Sequence, residues 1–240
     1  MQTKEAIILA AGMGTRLLPL TSDKPKCLVE VNDITILENT LMNLKEVKVE
    51  KVAIITGYKE NKIKEKIGLT YLGMDINYIE NIIYEKTNSM YSLYLGLRSI
   101  KESTWVLESD IMFETSILNY KRQNDISWFV DSKTKNIDGS YVKFNKNFKI
   151  IEHNILRNLN LIEEDHAKSL GILHLNKNGV RNLKEWLEEA VEEKKESLYY
   201  DLILGEHLDS SLIGAIDIMG EKWFEVDNLE DLQIARNIFI

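Results

Sequence analysis

The feature of this chain that decides its fold is a run of small and apolar residues that leads into a loop with two glycines. Residues 9–28 read Leu9-Ala10-Ala11-Gly12-Met13-Gly14-Thr15-Arg16-Leu17-Leu18-Pro19-Leu20-Thr21-Ser22-Asp23-Lys24-Pro25-Lys26-Cys27-Leu28. The apolar run at residues 6–10 predicts a buried strand. Small residues after such a strand let backbone N–H groups approach phosphate oxygens without a clash from a Cβ atom. The stretch therefore predicts a strand and a phosphate-binding loop, to which Arg16 and Lys26 add positive charge.

Two common nucleotide-binding motifs do not match this loop. The dinucleotide-binding fingerprint needs a third glycine, and Arg16-Leu17 stands in its place. The loop also has no Gly-Lys-Ser/Thr of a P-loop. Because a lone Gly-x-Gly is also typical of a tight turn, the surrounding residues must decide its meaning.

Beyond the loop, strand patterns alternate with helix patterns. The next predicted strands are residues 52–56, residues 76–79 and residues 105–108. This alternation is typical of βαβ units around a parallel sheet. Shorter alternating segments over residues 127–175 predict antiparallel strands inserted beside that core.

Helix signals fall between these strands and near the end of the chain. Thr35 and Glu38 match a capping box, and Asn88 or Ser89 can cap a later helix. Apolar residues recur at helical spacing over residues 178–195, which predicts an amphipathic helix. The remaining predicted elements are a helix at residues 198–208, a strand at residues 212–218 and a helix at Leu229–Ile238.

These patterns predict a single α/β domain over residues 1–240, with a mixed, mostly parallel sheet flanked by helices and a small inserted β-region. Within it, residues 1–125 are expected to form a nucleotide-binding half. Residues 126–240 are expected to form an acceptor-binding half with the C-terminal helices.

Composition narrows the class of protein. The formal net charge of -8 argues against a nucleic-acid binder, which usually presents a basic face to phosphates. The single cysteine permits no internal disulfide, which fits a reducing compartment. No stretch approaches the roughly 18 apolar residues of a membrane helix. We therefore expect a soluble, cytoplasmic protein that contacts neither nucleic acid nor membrane, as a monomer or a homodimer.

The loop resembles the signature of the nucleotidyltransferase superfamily, L-A-A-G-x-G-T-R-x-x-P-L-T followed by P-K-x-L. The resemblance implies a Rossmann-like fold of the glycosyltransferase A type. It also implies that Arg16 stabilises departing pyrophosphate and that Lys26 contacts the α-phosphate or the incoming phosphate. The residues that would wrap the triphosphate are Leu9, Ala10, Ala11, Gly12, Met13, Gly14 and Thr15.

Two aspartates are candidate Mg²⁺ ligands. Asp110 follows the predicted strand at residues 105–108, where ligands gather in open α/β sheets, and a carboxylate there suits Mg²⁺. The family places a metal-binding aspartate at this position, and a second one resembles Asp227. Asp110 is also compatible with a surface turn after the strand, and Asp227 is compatible with a helix cap or a first-turn acid. Glu108 could hold either metal position if the register of the strand slips.

A second segment narrows the resemblance to one branch of the superfamily. The pattern N-x-Y-S-L at residues 88–93 looks like the cytidylyltransferases that activate phosphocholine and 2-aminoethylphosphonate. Asn81, Asn88 and Ser89 would suit the polar edge of cytosine, although capping explains Asn88 equally well. The resemblance therefore implies CTP as the nucleotide.

The acceptor end is defined less sharply. Tyr199, Tyr200 and Asp201 resemble the aromatic and acidic cluster that holds a trimethylammonium group in phosphocholine enzymes. Two tyrosines on a half-buried helix would look the same. Near the position of a cage tryptophan in those enzymes, this chain has Asp138-Gly139-Ser140, which leaves room for a primary amine, an amide or an amino acid.

The sequence thus predicts a Mg²⁺-dependent cytidylyltransferase that transfers CMP from CTP to a small phosphorylated acceptor and releases pyrophosphate. The acceptor would be phosphocholine-like, an aminoalkylphosphonate, or a phospho-amino compound such as glutamine phosphate. The main alternative is a sugar-1-phosphate nucleotidyltransferase that uses UTP or dTTP. A glycosyltransferase and a regulatory nucleotide-binding domain are further alternatives.

Overall fold

The computed structural model describes residues 2–210 and 212–240. The strands are β1 Glu5–Ala10, β2 Glu30–Val31, β3 Ile34–Thr35, β4 Lys51–Thr56, β5 Thr70–Tyr71, β6 Met74–Glu80, β7 Thr104–Glu108, β8 Ile111–Phe113, β9 Ile126–Asp131, β10 Gly139–Phe144, β11 Ile150–Leu156, β12 Ala167–Leu175, β13 Ile213–Asp217 and β14 Trp223–Glu225. The α-helices are α1 Ile36–Glu46, α2 Glu60–Ile67, α3 Ser89–Leu97, α4 Lys177–Glu192, α5 Tyr200–Glu206 and α6 Leu229–Ile238. Among the helices so described, none is both long enough and apolar enough to span a lipid bilayer.

One mixed sheet of ten strands runs through the molecule in the order β11-β10-β12-β7-β1-β4-β6-β5, with β9 on β12 and β13 on β9. The centre, β7-β1-β4-β6, is parallel. The predicted antiparallel region is β9 to β12, and it continues the same sheet because β12 pairs antiparallel with β7. The expected fold class, a mixed α/β sheet flanked by helices, is confirmed.

Strand β1 lies at the middle of the sheet and is buried on both faces. Ile8 packs in the apolar cluster on one face, and its neighbours Ile7 and Leu9 pack in the cluster on the other. Both faces of a central parallel strand are covered by helices, which explains the uninterrupted apolar run. The strand therefore holds the start of the glycine loop on a rigid base.

Local helix signals act as expected. Thr35 Oγ1 accepts from Glu38 N over 3.1 Å, and Glu38 Oε2 accepts from Thr35 N over 3.1 Å, so the capping box is confirmed. Asn88 is the N-cap of α3. Helix α4 ends at Glu192, three residues before the predicted end at residue 195, and Lys194 has a φ of 62° that continued helix would not allow.

Helix α3 packs closely on β1 through a glycine. A Cβ atom added to Gly96 would lie 2.8 Å from Ile7 Cγ2, whereas one added to Gly12 would meet no heavy atom within 4 Å. Alanine usually stabilises a helix relative to glycine by about 0.5–1 kcal/mol. At Gly96 we expect alanine to destabilise the protein instead.

Gly96→Ala is expected to lower the free energy of unfolding by about 1–3 kcal/mol, because the extra methyl group overpacks the contact with β1. Urea denaturation measures the free energy of unfolding. The control is Gly12→Ala, whose free energy of unfolding is expected to stay within about 1 kcal/mol of that of the parent. A stabilised Gly96→Ala variant would contradict this close packing.

Candidate active site

The glycine loop leaves β1 at the carboxyl edge of the sheet and is closed by local contacts. Gly14 has a φ of 64°, and a Cβ atom there would lie 2.7 Å from Lys26 Cβ. Thr21 Oγ1 donates to the Gly14 carbonyl over 2.8 Å. Tyr58 Oη donates to the carbonyls of Thr21 and Ser22 over 3.1 and 3.0 Å. The loop therefore requires glycine at residue 14 and is held against the segment after β4.

A short two-stranded sheet brings the two predicted metal ligands together. Strand β14 pairs antiparallel with β8, and Val226 N donates to the Asp110 carbonyl over 2.8 Å. Asp227 follows directly in the chain. The N-cap of α6 is Asn228, whose Oδ1 accepts from Asp231 N over 3.0 Å. The Asp227 side chain is therefore not the helix cap and faces the Asp110 carboxylate instead.

The two predicted cations lie against these carboxylates. Lys26 Nζ donates to Asp110 Oδ2 over 2.9 Å and also to Asp227 Oδ1. Arg16 Nη2 lies 2.8 Å from Asp227 Oδ2. The Lys26 side chain is 13% exposed and that of Arg16 is 57% exposed. The lysine is thus largely buried between the two carboxylates, whereas most of the arginine side chain is open to solvent at the rim.

This arrangement shifts the ionisation of its members. Burial lowers the pKa of the Lys26 ammonium, but the charges of Asp110 and Asp227 outweigh it, so the net pKa is raised. Burial raises the pKa of the Asp227 carboxyl, and Lys26 and Arg16 reverse this, so the net pKa is lowered. Both groups are therefore charged at neutral pH.

A third carboxylate completes a group that can hold a divalent cation. Ligand oxygens of Asp110, Glu225 and Asp227 all lie within 4.8 Å of one another. Asp110 Oδ1 is buried and has no hydrogen-bond partner among the described residues. Hard oxygen ligands of this kind are the ones that Mg²⁺ prefers. The residues present thus fit the predicted metal, and Glu225 was not predicted from the sequence.

Glu108 takes neither metal position. Its carboxyl group lies against Gly171, where an added Cβ would come within 3.0 Å of Glu108 Cδ and Oε2. Burial raises the pKa of Glu108 well above its ordinary value, and the nearby charges of Asp110 and Glu225 raise it further. Asp110, and not Glu108, therefore lies beside Asp227 and Glu225. Metal binding by Asp110 stays a prediction.

A cavity with two adjoining compartments opens above this charged group. The first is lined by Leu9, Ala10, Ala11, Gly12, Lys26, Cys27, Asn81, Tyr84, Thr87, Asn88, Ser89, Ser92, Glu108, Ser109, Asp110 and Tyr199. The second is lined by Gly12, Gly14, Thr15, Arg16, Lys26, Asn88, Glu108, Asp110, Gly139, Ser140, Ile155, Arg157, Lys168, Ser169, Leu170, Gly171, Tyr199, Asp201, Glu225 and Asp227. The residues common to both compartments are Gly12, Lys26, Asn88, Glu108, Asp110 and Tyr199. Ligands in the two compartments would therefore meet along this shared wall, beside the charged groups of Lys26 and Asp110.

The structure brings nearly all of the predicted site residues into this cavity. Two of them do not line it. Met13 lies on the outer side of the loop and is 40% exposed, whereas Tyr200 is 1% exposed and lies in the core beside the cavity. Burial raises the pKa of Tyr200 well above its ordinary value, with a further contribution from the Glu108 charge. Contact between Tyr200 and the acceptor stays a prediction, and in this structure the Tyr200 side chain is buried away from the cavity.

The polar residues proposed to read the base also hold the cavity wall in place. Asn81 Nδ2 donates to Thr87 Oγ1 over 2.9 Å and to Ser92 Oγ over 3.2 Å. Asn88 Oδ1 accepts from Ser89 N over 2.9 Å, and Ser89 Oγ accepts from Tyr200 N over 3.2 Å. These groups line the first compartment, and their contact with a base stays a prediction.

Sequence reasoning missed several residues of the second compartment. Lys168 Nζ donates to Glu225 Oε2 over 2.8 Å, and Arg157 Nη1 donates to Asp138 Oδ2 over 3.0 Å. Alternation along a strand could have drawn attention to Glu225, which lies two residues before Asp227 and hence faces the same side. Lys168 and Arg157 carry no such signal, because their carboxylate partners lie 57 and 19 residues away in the chain, outside any local repeat.

Comparison with known proteins places the chain in a family. A family model described as nucleotidyl transferase matches residues 5–151, more than half of the chain. The chain belongs to the nucleotidyl transferase family. The matched region includes the glycine loop, Lys26 and Asp110, and the whole first compartment except Tyr199.

Among related nucleotidyl transferases, the chain is 35% identical over 113 residues to the CMP-5'-(3-aminopropyl)phosphonate synthase of Streptomyces rubellomurinus, covering 47% of this chain and 18% of that protein. It is 27% identical over 230 residues to the choline-phosphate cytidylyltransferase of Haemophilus influenzae, covering 94% and 93%. It is 38% identical over 91 residues to the CTP:phosphoglutamine cytidylyltransferase of Campylobacter jejuni, covering 37% and 34%. The chain therefore matches only 18% and 34% of the length of two of these relatives and 93% of the third.

Solved structures of nucleotidyl transferases share the fold over the whole chain. The CTP:phosphocholine cytidylyltransferase of Streptococcus pneumoniae superposes with a TM-score of 0.79 at 23% identity and covers 100% of both chains. A UDP-glucose pyrophosphorylase bound to UDP-glucose superposes with a TM-score of 0.82 at 17% identity and covers 99% and 98%. The similarity at these identities establishes the fold.

The position of Lys26 between two carboxylates leads to a testable prediction about metal binding. In Lys26→Met the ammonium no longer lies between Asp110 and Asp227, so the ligand-free protein is expected to bind Mn²⁺ about 10-fold more tightly or better. Mn²⁺ serves as the probe because it takes the same oxygen ligands as Mg²⁺. Titration calorimetry without nucleotide measures the dissociation constant.

Lys66→Met is the matched control, because Lys66 pairs with Glu38 over 3.0 Å away from the cavity. Its Mn²⁺ affinity is expected to equal that of the parent. Equal Mn²⁺ affinities in the parent and in Lys26→Met would contradict competition between the Lys26 ammonium and a cation at these carboxylates, and no Mn²⁺ binding in either protein would exclude the cation site.

Proposed function

We propose that the chain is a Mg²⁺-dependent cytidylyltransferase that transfers CMP from CTP to a small phosphorylated acceptor and releases pyrophosphate. The acceptor is phosphocholine-like, an aminoalkylphosphonate, or a phospho-amino compound such as glutamine phosphate. The observation that carries the proposal is the meeting of two compartments at Lys26 and Asp110. A transfer between two substrates requires such a shared point.

In this proposal the first compartment holds the nucleotide and the second holds the acceptor. The glycine loop after β1 offers backbone N–H groups to the triphosphate, and Arg16 at the rim is free to follow departing charge. Residues 1–125 supply most of the first compartment, and residues 126–240 supply the far wall of the second. Under this proposal, the predicted nucleotide-binding half corresponds to residues 1–125 and the predicted acceptor-binding half to residues 126–240.

The reaction needs no general base. A phosphate or phosphonate oxygen of the acceptor attacks the α-phosphorus in line, the bond from that phosphorus to the bridging oxygen breaks, and the electron pair leaves with pyrophosphate. The acceptor is already an anion near neutral pH, so the barrier is mainly repulsion between negative groups. Lys26 and Arg16 lower this barrier because they place positive charge beside both negative groups, the acceptor and the triphosphate.

A bound Mg²⁺ would supply further charge neutralisation at the α-phosphate. Asp110, Asp227 and Glu225 are the residues that would hold it. Lys26 must then move from between the carboxylates, and its long flexible side chain allows it to turn toward the phosphate.

The proposal that CTP is the nucleotide substrate rests on the names of related proteins. The three related proteins described above are named for CMP or CTP chemistry, and their acceptors are a phosphonate, choline phosphate and phosphoglutamine. The alternative of a sugar-1-phosphate nucleotidyltransferase using UTP or dTTP is favoured by the fold shared with UDP-glucose pyrophosphorylase. The cytoplasmic location and the monomeric or homodimeric state stay predictions.

A nucleotide and acceptor panel separates the two functions. CTP, UTP and dTTP are each combined with phosphocholine, phosphoethanolamine, 2-aminoethylphosphonate, glutamine phosphate and glucose 1-phosphate, and pyrophosphate release is recorded. We expect CTP with a nitrogen-containing acceptor to give the highest kcat/KM. The highest value with a sugar 1-phosphate and UTP or dTTP would overturn the proposal in favour of the alternative.

Lys26→Ala and Asp110→Ala are each expected to lower kcat about 100-fold or more, as loss of one oriented charge-stabilising group typically does. Turnover in saturating CTP is measured by pyrophosphate release, and far-ultraviolet circular dichroism checks that each variant is folded.

Lys177→Ala is the control, since Lys177 forms an exposed pair with Glu102 over 2.7 Å, outside the cavity. Its turnover is expected to match that of the parent. Undiminished pyrophosphate release in folded Lys26→Ala or Asp110→Ala would exclude the assigned roles.

A further inference from the structure

A separate cleft lies at the amino-terminal edge of the central sheet, opposite to the edge that carries the active site. It has a volume of about 260 Å³, and its lining residues include Thr3, Lys48, Trp105, Asn119 and Arg122. These residues line neither compartment of the active-site cavity. Trp105 lies near the start of β7, whereas the strand ends beside the active site. This Arg122 cleft is therefore a distinct feature of the molecule.

The guanidinium group of Arg122 brings positive charge into this cleft. Arg122 Nη1 donates to the Leu118 carbonyl over 2.8 Å, and Arg122 Cζ lies 4.8 Å from the centre of the Trp105 ring. Within residues 2–210 and 212–240, the Arg122 side chain forms no ion pair and no other hydrogen bond. A guanidinium has N–H groups on three nitrogen atoms and can hold an oxyanion at two points. Most of its donors are therefore available to a ligand.

The half-buried position of Arg122 is unusual for a cation without a carboxylate partner. Burial lowers the pKa of the Arg122 guanidinium, and no neighbouring acid raises it again. The group stays charged at neutral pH, because an arginine is not deprotonated in proteins. A partly buried charge without a partner is costly, and an anion in the cleft would offset that cost.

A second cation stands at the rim of the same cleft. Lys48 is exposed, and it forms no ion pair in the part of the chain that the structure describes. By contrast, the nearby Lys4 pairs with Glu50. Glu46 is the one carboxylate among the residues that line the cleft. Two cations and one carboxylate leave this cleft positive in a chain whose formal net charge is -8.

The size of the cleft and its other donors suit a small oxyanion. Pockets for larger organic ligands have volumes of roughly 300–1,000 Å³, and this cleft is smaller. Gln2 Nε2 donates to the Val47 carbonyl over 3.2 Å, and Asn119 Nδ2 donates to the Thr115 carbonyl over 3.4 Å. Each amide has a second N–H for a ligand oxygen. Two cations match a doubly charged anion better than a carboxylate, which carries one charge.

The wall beneath Arg122 adds no further charge. His174 packs edge-on against Trp105 with the ring centres 4.8 Å apart, and its Nε2 lies 2.7 Å from Thr3 Oγ1. Burial and the nearby charge of Arg122 lower the pKa of His174 to about 3. The imidazole is therefore neutral near pH 7. Arg122 and Lys48 are left as the cations of the cleft.

We propose that the Arg122 cleft is an anion site, separate from the active site, that binds a phosphate group in its doubly charged form. Arg122 holds two of the phosphate oxygens, and Lys48 at the rim neutralises the remaining charge. Free phosphate and the phosphate of a small monoester present the same oxygens to these donors. The site goes beyond the proposed function, because it requires neither a nucleotide nor an acceptor.

The test follows the indole N–H signals of the four tryptophans by nuclear magnetic resonance in nitrogen-15-labelled protein. The Trp105 signal is assigned by its loss in Trp105→Phe. Inorganic phosphate is titrated near pH 8, where most of it is doubly charged, and NaCl keeps the ionic strength constant so that screening does not change. We expect the Trp105 signal to shift to saturation as the Arg122 cleft fills.

Variants of the cleft connect this shift to the residues that cause it. Arg122→Gln is expected to weaken phosphate binding about 10-fold or more, because it removes charge-assisted hydrogen bonds. Lys48→Met is expected to weaken it about 3-fold, and Glu46→Gln to strengthen it about 2-fold, as is usual for exposed charges. These two variants still test the site if Arg122→Gln does not fold. Arg16→Gln is the matched control, and its dissociation constant at Trp105 is expected to equal that of the parent.

Methyl phosphate and acetate identify the class of anion. Saturable binding of inorganic phosphate, with or without binding of methyl phosphate, supports the proposal, and methyl phosphate shows whether a monoester also fits. No saturable shift of the Trp105 signal, tighter binding of acetate than of phosphate, or unchanged phosphate affinity in folded Arg122→Gln overturns it. Pyrophosphate release from CTP by Arg122→Gln is expected to equal that of the parent, so failure of this site leaves the proposed function intact.

Discussion

The ammonium group of Lys26, held between the carboxylates of Asp110 and Asp227, is the interaction on which the rest of the site depends. Its partners are 84 and 201 residues away in the chain. A buried lysine is tolerated only when its charge is matched, and these carboxylates would repel each other without it. The three residues therefore join the glycine loop, the end of the central sheet and the C-terminal segment into one charged unit.

That unit also explains the shape of the cavity. The glycine loop and the segment before α3 form one side, and β10, β12 and α5 form the other, so both compartments open onto Lys26 and Asp110. The cations around the second compartment are matched by carboxylates of the chain itself. The Asp201 carboxylate lies beside the His153 imidazole instead, with Asp201 Oδ2 3.5 Å from His153 Nε2.

Much of the fold could be predicted because its signals are local. The apolar run of β1, the capping box of Thr35 and the stripe of α4 each depend on residues within a few positions of one another. The loop signature and Asp110 could also be found, because each lies directly after a strand. In a parallel sheet the ends of such strands meet at one edge, so their proximity follows from the strand order.

The sequence by itself determined the class of the fold, the phosphate-binding loop and the residue types needed for charge neutralisation, since these are set by periodicity and by contiguous motifs. Only the tertiary structure decided that Glu225 joins Asp110 and Asp227, that Tyr200 faces the core, and that His153 lies beside Asp201. Those facts depend on how β14 pairs with β8 and how α5 packs on β11. Contacts between segments so far apart in the chain produce no periodic pattern in the sequence. Neither partner can therefore be identified from the residues around the other.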